Sequence, residues 1–223
     1  PRAAPSPTGA PTSTPRGGGR ARLAAMPTIF CIGKNYAAHA REMGSTPDPT
    51  GEPVVFLKPW HALVAPPGPI RFLAGAGEIH HEAEVVLRVG PRASVEALAL
   101  GLDLTDRTRQ ADAKAHGLPW AAAKGFRGAA PLGPFVAVAE APALDAIRFS
   151  LAIDGVVRQR GDTALLLRPI PLVLAQLDRW YGLAVGDLVF TGTPEGVGPI
   201  ASGNVLELAM DGVPAANARF VVA

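Results

Sequence analysis

The chain has 223 residues, 48% hydrophobic and 18% charged, which is enough for one domain with a sizeable core. No apolar run approaches the roughly 20 residues that span a membrane, and the one cysteine, Cys31, excludes an internal disulfide or a cysteine zinc cluster. The net charge of +2 comes from residues 1–25, where Arg2, Arg16, Arg20 and Arg22 meet no acid; without them it becomes −2, so the rest of the chain has no electrostatic case for nucleic acid.

Residues 1–25 are rich in Pro, Ser, Thr, Gly and Ala and have no apolar face, so they are expected to form an extension that packs on nothing. The segment also lacks the apolar stretch of a secretory signal, and the expected compartment is the cytoplasm. Met26 is the expected natural start, and residues 26–223 the expected single catalytic domain. Short β-like runs follow: 28–32 (with Cys31 as a buried thiol), 53–57, 82–89, 147–153, 156–160, 187–190, 205–210 and 219–222. Asp154-Gly155 and Asp211-Gly212 stand between such runs and predict hairpins. Helical periodicity is confined to 36–43, 105–116 and 171–180, with a remnant at 93–98. The predicted class is mainly β with a few helices (α+β), a mixed sandwich or roll.

Four local patterns could carry chemistry. In Glu78-Ile79-His80-His81-Glu82-Ala83-Glu84, strand alternation points Glu82 and Glu84 the same way, and two like charges on one face repel unless a cation lies between them. An amphipathic edge with two surface acids is the plainer alternative. Asp103, inside the apolar run 100–105, also needs a partner. Three carboxylates without a cysteine suit a hard cation, Mg²⁺, Mn²⁺ or Ca²⁺, with His80 and His81 as structural or further ligands. On a helix, His39 and Glu42 are neighbours at i and i+3, either an activated base or an ordinary ion pair. Lys124, in an otherwise uncharged stretch, is either desolvated and functional or snorkels to water. The loop 191–198 is glycine-rich but has no Walker lysine and no following helix; its hydroxyls and N–H groups could instead receive a carboxylate.

In order, GKNYAAHAREMG (33–44), PVVFLKP (53–59), IHHEAE (79–84), LGLDLTDRTRQ (100–110), GLPWAAAKGF (117–126) and GDLVFTGTPEGVG (186–198) resemble the fumarylacetoacetate hydrolase family, nearest its short acylpyruvate-hydrolase branch. The resemblance covers nearly all of residues 29–222. It implies a mixed β-sandwich or roll, usually a homodimer, holding Mg²⁺ or Mn²⁺ on Glu82, Glu84 and Asp103. It implies His39 and Glu42 as the water-activating dyad on a helix that orders over bound substrate, Lys124 as the third catalytic group, and Arg107, Gln110, Lys58 and Thr193 as pocket residues. Two features depart from the family pattern. Thr108 stands where an acid usually follows the arginine, with Asp106 before it. Glu84 and Asp103 are only 19 positions apart, a shorter path than usual. Asp103 is nevertheless expected to reach the other two acids.

The implied reaction is hydrolysis of a 2,4-dioxo acid such as fumarylpyruvate or acetylpyruvate. His39, steadied by Glu42, takes a proton from water, the hydroxide attacks the 4-carbonyl, and C3–C4 cleavage leaves pyruvate as an enolate stabilised by the cation. Oxaloacetate decarboxylation passes through the same enolate and is the first alternative, followed by isomerisation or dehydration of related 2-oxo acids. Readings from other classes are a Schiff-base aldolase on Lys124 and a catalytically impaired binding protein.

Overall fold

A computed structural model describes residues 26–72 and 75–223; the expected extension over 1–25 lies outside them. Two sheets carry most of the fold. The larger has the order β2 (Val54–Lys58), β1 (Ile29–Gly33), β12 (Leu188–Phe190), β5 (Ala83–Val89), β6 (Val95–Leu102) and β9 (Val136–Ala137). Only β1 and β12 run parallel in it. The smaller, all antiparallel, has the order β11 (Val156–Asp162), β10 (Arg148–Ile153), β14 (Val205–Met210) and β15 (Ala218–Val221). Two small ladders complete the strands: β13 (Gly198–Pro199) with β4 (Ile79–His81) and β7 (Thr105–Asp106), and β3 (Leu63–Val64) with β8 (Ala130–Pro131).

Side-chain alternation explains the layering. Val85, Leu87, Leu98 and Leu100 of the larger sheet pack with Leu151, Leu206 and Leu208 of the smaller one and with Val173 and Leu177 of α4 (Ile170–Tyr181). Cys31, Val86, Ala99 and Phe190 form a second cluster, and Cys31 is fully buried. The other helices are short: α1 (Ala37–Glu42), α2 (Arg107–Ala115) and α3 (Ala121–Lys124). No helix among the described residues is long and apolar enough to cross a membrane.

The mainly β class with a few helices is the one observed, and one local expectation is corrected. Residues 93–98 are not helical: a single turn at Pro91–Ala93 leads directly into β6, which pairs with β5 from Ala83↔Leu102 to Val89↔Val95. The shortened segment is thus a β hairpin, because Leu98 and Leu100 gain more burial on a sheet face than an isolated helical turn would offer. Asp154 and Gly155, both at positive φ, do make a tight hairpin turn. Asp211-Gly212 also stands in a hairpin, since β14 and β15 pair antiparallel from Val205↔Val221 to Leu208↔Ala218, but the connection is longer than a tight turn: it runs on through Pro214–Ala216 before β15, and Asn217 Oδ1 accepts from Met210 N at 3.0 Å.

Candidate active site

The β5–β6 hairpin places the three acids together. Glu82 lies between β4 and β5, Glu84 near the start of β5, and Asp103 just past the end of β6, with Asp103 N donating to Glu82 O at 2.8 Å. One oxygen from each of the three carboxylates lies within 4.8 Å of the others, and all three residues are buried. An all-oxygen set of buried carboxylates fits a hard divalent cation. Burial and the neighbouring Asp103 and Glu82 charges push the Glu84 carboxyl well above its usual range, which is the like-charge conflict a cation would relieve.

Cations of the chain already compensate part of this charge. Lys124, carried by α3 and 3% exposed, donates to Glu82 Oε2 at 2.8 Å and Asp103 Oδ2 at 2.7 Å. Arg107, the first residue of α2, donates to Glu82 Oε1 and to Gln110 Oε1, both at 2.7 Å. Burial alone would raise Glu82, but Lys124 and Arg107 bring it down to about 2. Burial opposes the charge on Lys124 as well, yet Asp103 and Glu82 carry its pKa above the ordinary lysine value. Lys124 is therefore a buried ion-pair partner and does not snorkel.

Lys58 departs from its expected place. It does not line the cavity: its ammonium is buried against Asp103 Oδ1 at 2.7 Å and donates to the carbonyls of Leu104 and Lys124. It ties β2 to the segment bearing Asp103. The remaining candidates converge. A small cavity, partly open to solvent, is lined by His39, Glu82, Glu84, Arg107, Gln110, Lys124 and Thr193, among others. His39 is buried at 6% exposure, and its Nδ1 lies 3.3 Å from Glu42 Oε2. That pairing leaves Nε2 free to take a proton.

Two N–H groups of the loop 191–198 go to the protein's own carboxylates. Gly192 N donates to Glu84 Oε2 at 2.7 Å, and Gly196 N to Glu42 Oε1 at 3.0 Å. Gly192 has φ +107, and a Cβ there would approach Asn35 Cβ to 2.7 Å, so both conformation and space require glycine. The Thr193 hydroxyl donates to Ala83 O. His80 pairs with Glu78, and His81 Nδ1 with Gln159, so neither histidine belongs to the acidic cluster. Asp106, the displaced acid, caps α2 by accepting from Arg109 N at 2.9 Å and also accepts from Gly77 N.

Gln159 had no signal in the sequence. It is 1% exposed, although Val157, two residues before it, faces solvent. A bulge explains the inversion: Leu151 pairs with Gln159 but Ala152 with Val157, so Arg158 is the extra residue and re-aims Gln159 inward. Its Oε1 accepts from His81 Nδ1 and Ala83 N, both at 2.9 Å, on either side of Glu82. Its Nε2 donates to Thr193 Oγ1 at 2.9 Å and Pro194 O at 3.0 Å. Also unsignalled were Lys34, Lys114 and Trp120, which line the cavity.

Comparison with known proteins agrees with this layout. The chain is 38% identical over 195 residues to the mitochondrial oxaloacetate tautomerase of Mus musculus, covering 83% of this chain and 87% of that one. It is 37% identical over 196 residues to the oxaloacetate tautomerase of Escherichia coli, covering 82% and 88%. The crystal structure of fumarylpyruvate hydrolase from Pseudomonas aeruginosa in complex with Mn²⁺ and pyruvate superposes with a TM-score of 0.81 at 34% identity, covering 89% of this chain and 90% of that one. Residues 28–221 match the family described as fumarylacetoacetate (FAA) hydrolase C-terminal, and the chain belongs to that family.

Proposed function

We propose that this chain is an enzyme that binds a 2-oxo acid against Glu82, Glu84 and Asp103 and moves a proton at the carbon beside the 2-oxo group, with the keto–enol tautomerisation of oxaloacetate as its reaction. The observation that carries the reading is the cavity itself, which presents one buried imidazole, His39, together with Glu82 and Glu84 of the buried acidic triad. The names of the curated relatives support oxaloacetate as the substrate.

Mg²⁺ or Mn²⁺ held by the three carboxylates would supply positive charge that favours the enolate of a 2-oxo acid over its ketone. The chain's own residues do the rest. His39, which lines the cavity, takes the proton from C3 through Nε2; Glu42 holds the ring through Nδ1 and stabilises the imidazolium. Gly196 N fixes Glu42 in turn, so the loop orients the base indirectly. Arg107, held by Gln110, presents its guanidinium to the cavity for a substrate carboxylate. Return of the proton to the enol oxygen or to C3 completes the interconversion without breaking a carbon–carbon bond.

The test is proton exchange at C3 of oxaloacetate in D₂O, followed by NMR with MnCl₂ or MgCl₂ and with EDTA. Cation-dependent exchange faster than the buffer background is expected; exchange at the background rate would sink the proposal.

Acylpyruvate hydrolysis, the expectation from sequence, stays as a second reading because of the fumarylpyruvate hydrolase neighbour. It needs the same base acting on water, and release of a free carboxylic acid from fumarylpyruvate or acetylpyruvate would establish it. Loss of CO₂ from oxaloacetate would mark decarboxylation instead. A homodimer is also proposed. Edge strand β2 leaves Val54 and Leu57 exposed, as are Trp60 and Leu118. Light scattering should give twice the chain mass.

A further inference from the structure

The chain has four lysines against seventeen arginines, and all four stand at this site. Lys58 and Lys124 are bound to the acidic triad. Lys34 and Lys114 are not, although both line the cavity, Lys34 from the turn after β1 and Lys114 from α2. Among the described residues neither has a carboxylate within ion-pair distance, whereas each acid of the triad that borders a cation has its own: Glu82 has Lys124 and Arg107, and Asp103 has Lys58 and Lys124. The Lys114 ammonium instead lies 5.5 Å from the centre of the Trp120 ring. Two positive charges are thus left over at the cavity.

The backbone points the same way for Lys34. Its φ is +57, a left-handed conformation in which glycine would sit without strain. The turn is pinned by its neighbour: Asn35 Nδ2 donates to Thr191 O at 2.9 Å and to Arg168 O at 3.2 Å, and its Oδ1 accepts from Arg168 N at 2.9 Å. The backbone alone would favour glycine here, so the side chain has a use that offsets the strain. Around Lys114, burial first and then the charges of Arg107, Lys34 and Lys124 pull its pKa below the lysine norm, the signature of cations gathered on one space.

We propose that Lys34 and Lys114 form a subsite for the distal carboxylate of a 2-oxo dicarboxylic acid, so that the cavity selects dicarboxylates over monocarboxylates. This rests on the 2-oxo acid reading of the same cavity. Oxaloacetate and pyruvate are the natural pair of probes, since they share the 2-oxo carboxylate and differ by the one distal carboxylate.

The experiment is calorimetric titration of the full chain, saturated with MnCl₂, with each probe, for the wild type and for Lys34→Met, Lys114→Met, Lys34→Arg and Lys114→Arg. Melting curves of all five proteins check folding; both side chains reach solvent, so the substitutions should be tolerated. The wild type should prefer oxaloacetate. Each Met variant should lose about tenfold or more in oxaloacetate affinity while pyruvate affinity stays within about twofold, and the Arg variants should recover most of the loss. Equal losses for both probes, no loss for oxaloacetate, or a wild type that binds the two alike would overturn the subsite. If the selective losses are seen but C3 exchange is at background, the tautomerase reading fails and the subsite stands. If neither probe binds the wild type, both fall.

Discussion

In the proposed reaction His39 is the base. Replacing it by Ala should lower C3 exchange by about 10²–10⁴-fold, the usual contribution of a positioned base. Mn²⁺ affinity should hold, because His39 is not among the three clustered acids; steady exchange with lost Mn²⁺ affinity would reverse the roles. Lys58 calls for a different readout. Its ammonium is buried against Asp103 Oδ1, and removing it leaves that carboxylate with only the Lys124 ammonium on Oδ2. Lys58→Met should therefore destabilise the fold in denaturant unfolding, by less than the roughly 3–5 kcal/mol of a wholly uncompensated buried charge; a changed KM with unchanged stability would instead place Lys58 on the substrate. His81 carries a pH signature. Burial holds its pKa below the ordinary 6.5, so the folded chain keeps it neutral while the unfolded chain binds a proton as pH falls through that value. Its contribution is present above about pH 6.5 and is lost below it. Glu84, with its raised carboxyl, contributes in the opposite sense, so the His81 contribution is read as a difference: on going from pH 7.5 to 5.5 in urea unfolding, His81→Gln should lose less stability, or gain more, than the wild type.

At the scale of elements, the site is an agreement between the two sheets. The β5–β6 hairpin brings the acids together, and the bulge in β11 reaches across to brace them. All four hydrogen-bonding positions of the Gln159 amide are used, two around Glu82 and two in the 191–198 loop. Gln159→Met should orphan buried groups at about 1–3 kcal/mol each and weaken Mn²⁺ binding by loosening Glu82. Gln159→Glu keeps the acceptor half, so it should hold Mn²⁺ affinity better than Gln159→Met while raising KM through the freed loop. Equal Mn²⁺ affinity in the two variants would show that Glu82 needs no such brace. The same hairpin answers the question raised by the short 84–103 path. Two strands and a tight connection are the most direct way to return the chain to Glu82, and Asp103 arrives beside it.

For the whole molecule, a cation held by the triad would link its binding to folding, because the three acids come from positions that only the fold brings together. A cation that binds the folded state at a concentration of 100 times its Kd adds about 2.7 kcal/mol. Differential scanning calorimetry should therefore show a higher Tm with MnCl₂ than with EDTA. The Asp103→Asn variant should lose most of that increment, since it removes charge from a hard-cation site. An increment that survives in Asp103→Asn would mean the cation is held elsewhere.

The sequence by itself determined whatever depends on local period and composition. Alternation marked β5 and the hairpin strands of the smaller sheet, and spacing put His39 beside Glu42 and aimed Glu82 with Glu84. The motifs in order named the family. Three things were decided only by tertiary structure. Leu98 and Leu100 became strand and not helix because a partner strand was available, a contact no local pattern encodes. Gln159 turned inward because one extra residue in β11 shifted the phase of its side chains. Lys58 went to Asp103 instead of the cavity because a buried carboxylate takes the cation that the packing brings nearest, and the chain separates those two residues by 45 positions. Charge pairing in a core is a property of what the fold places side by side, and the order of residues along the chain does not state it.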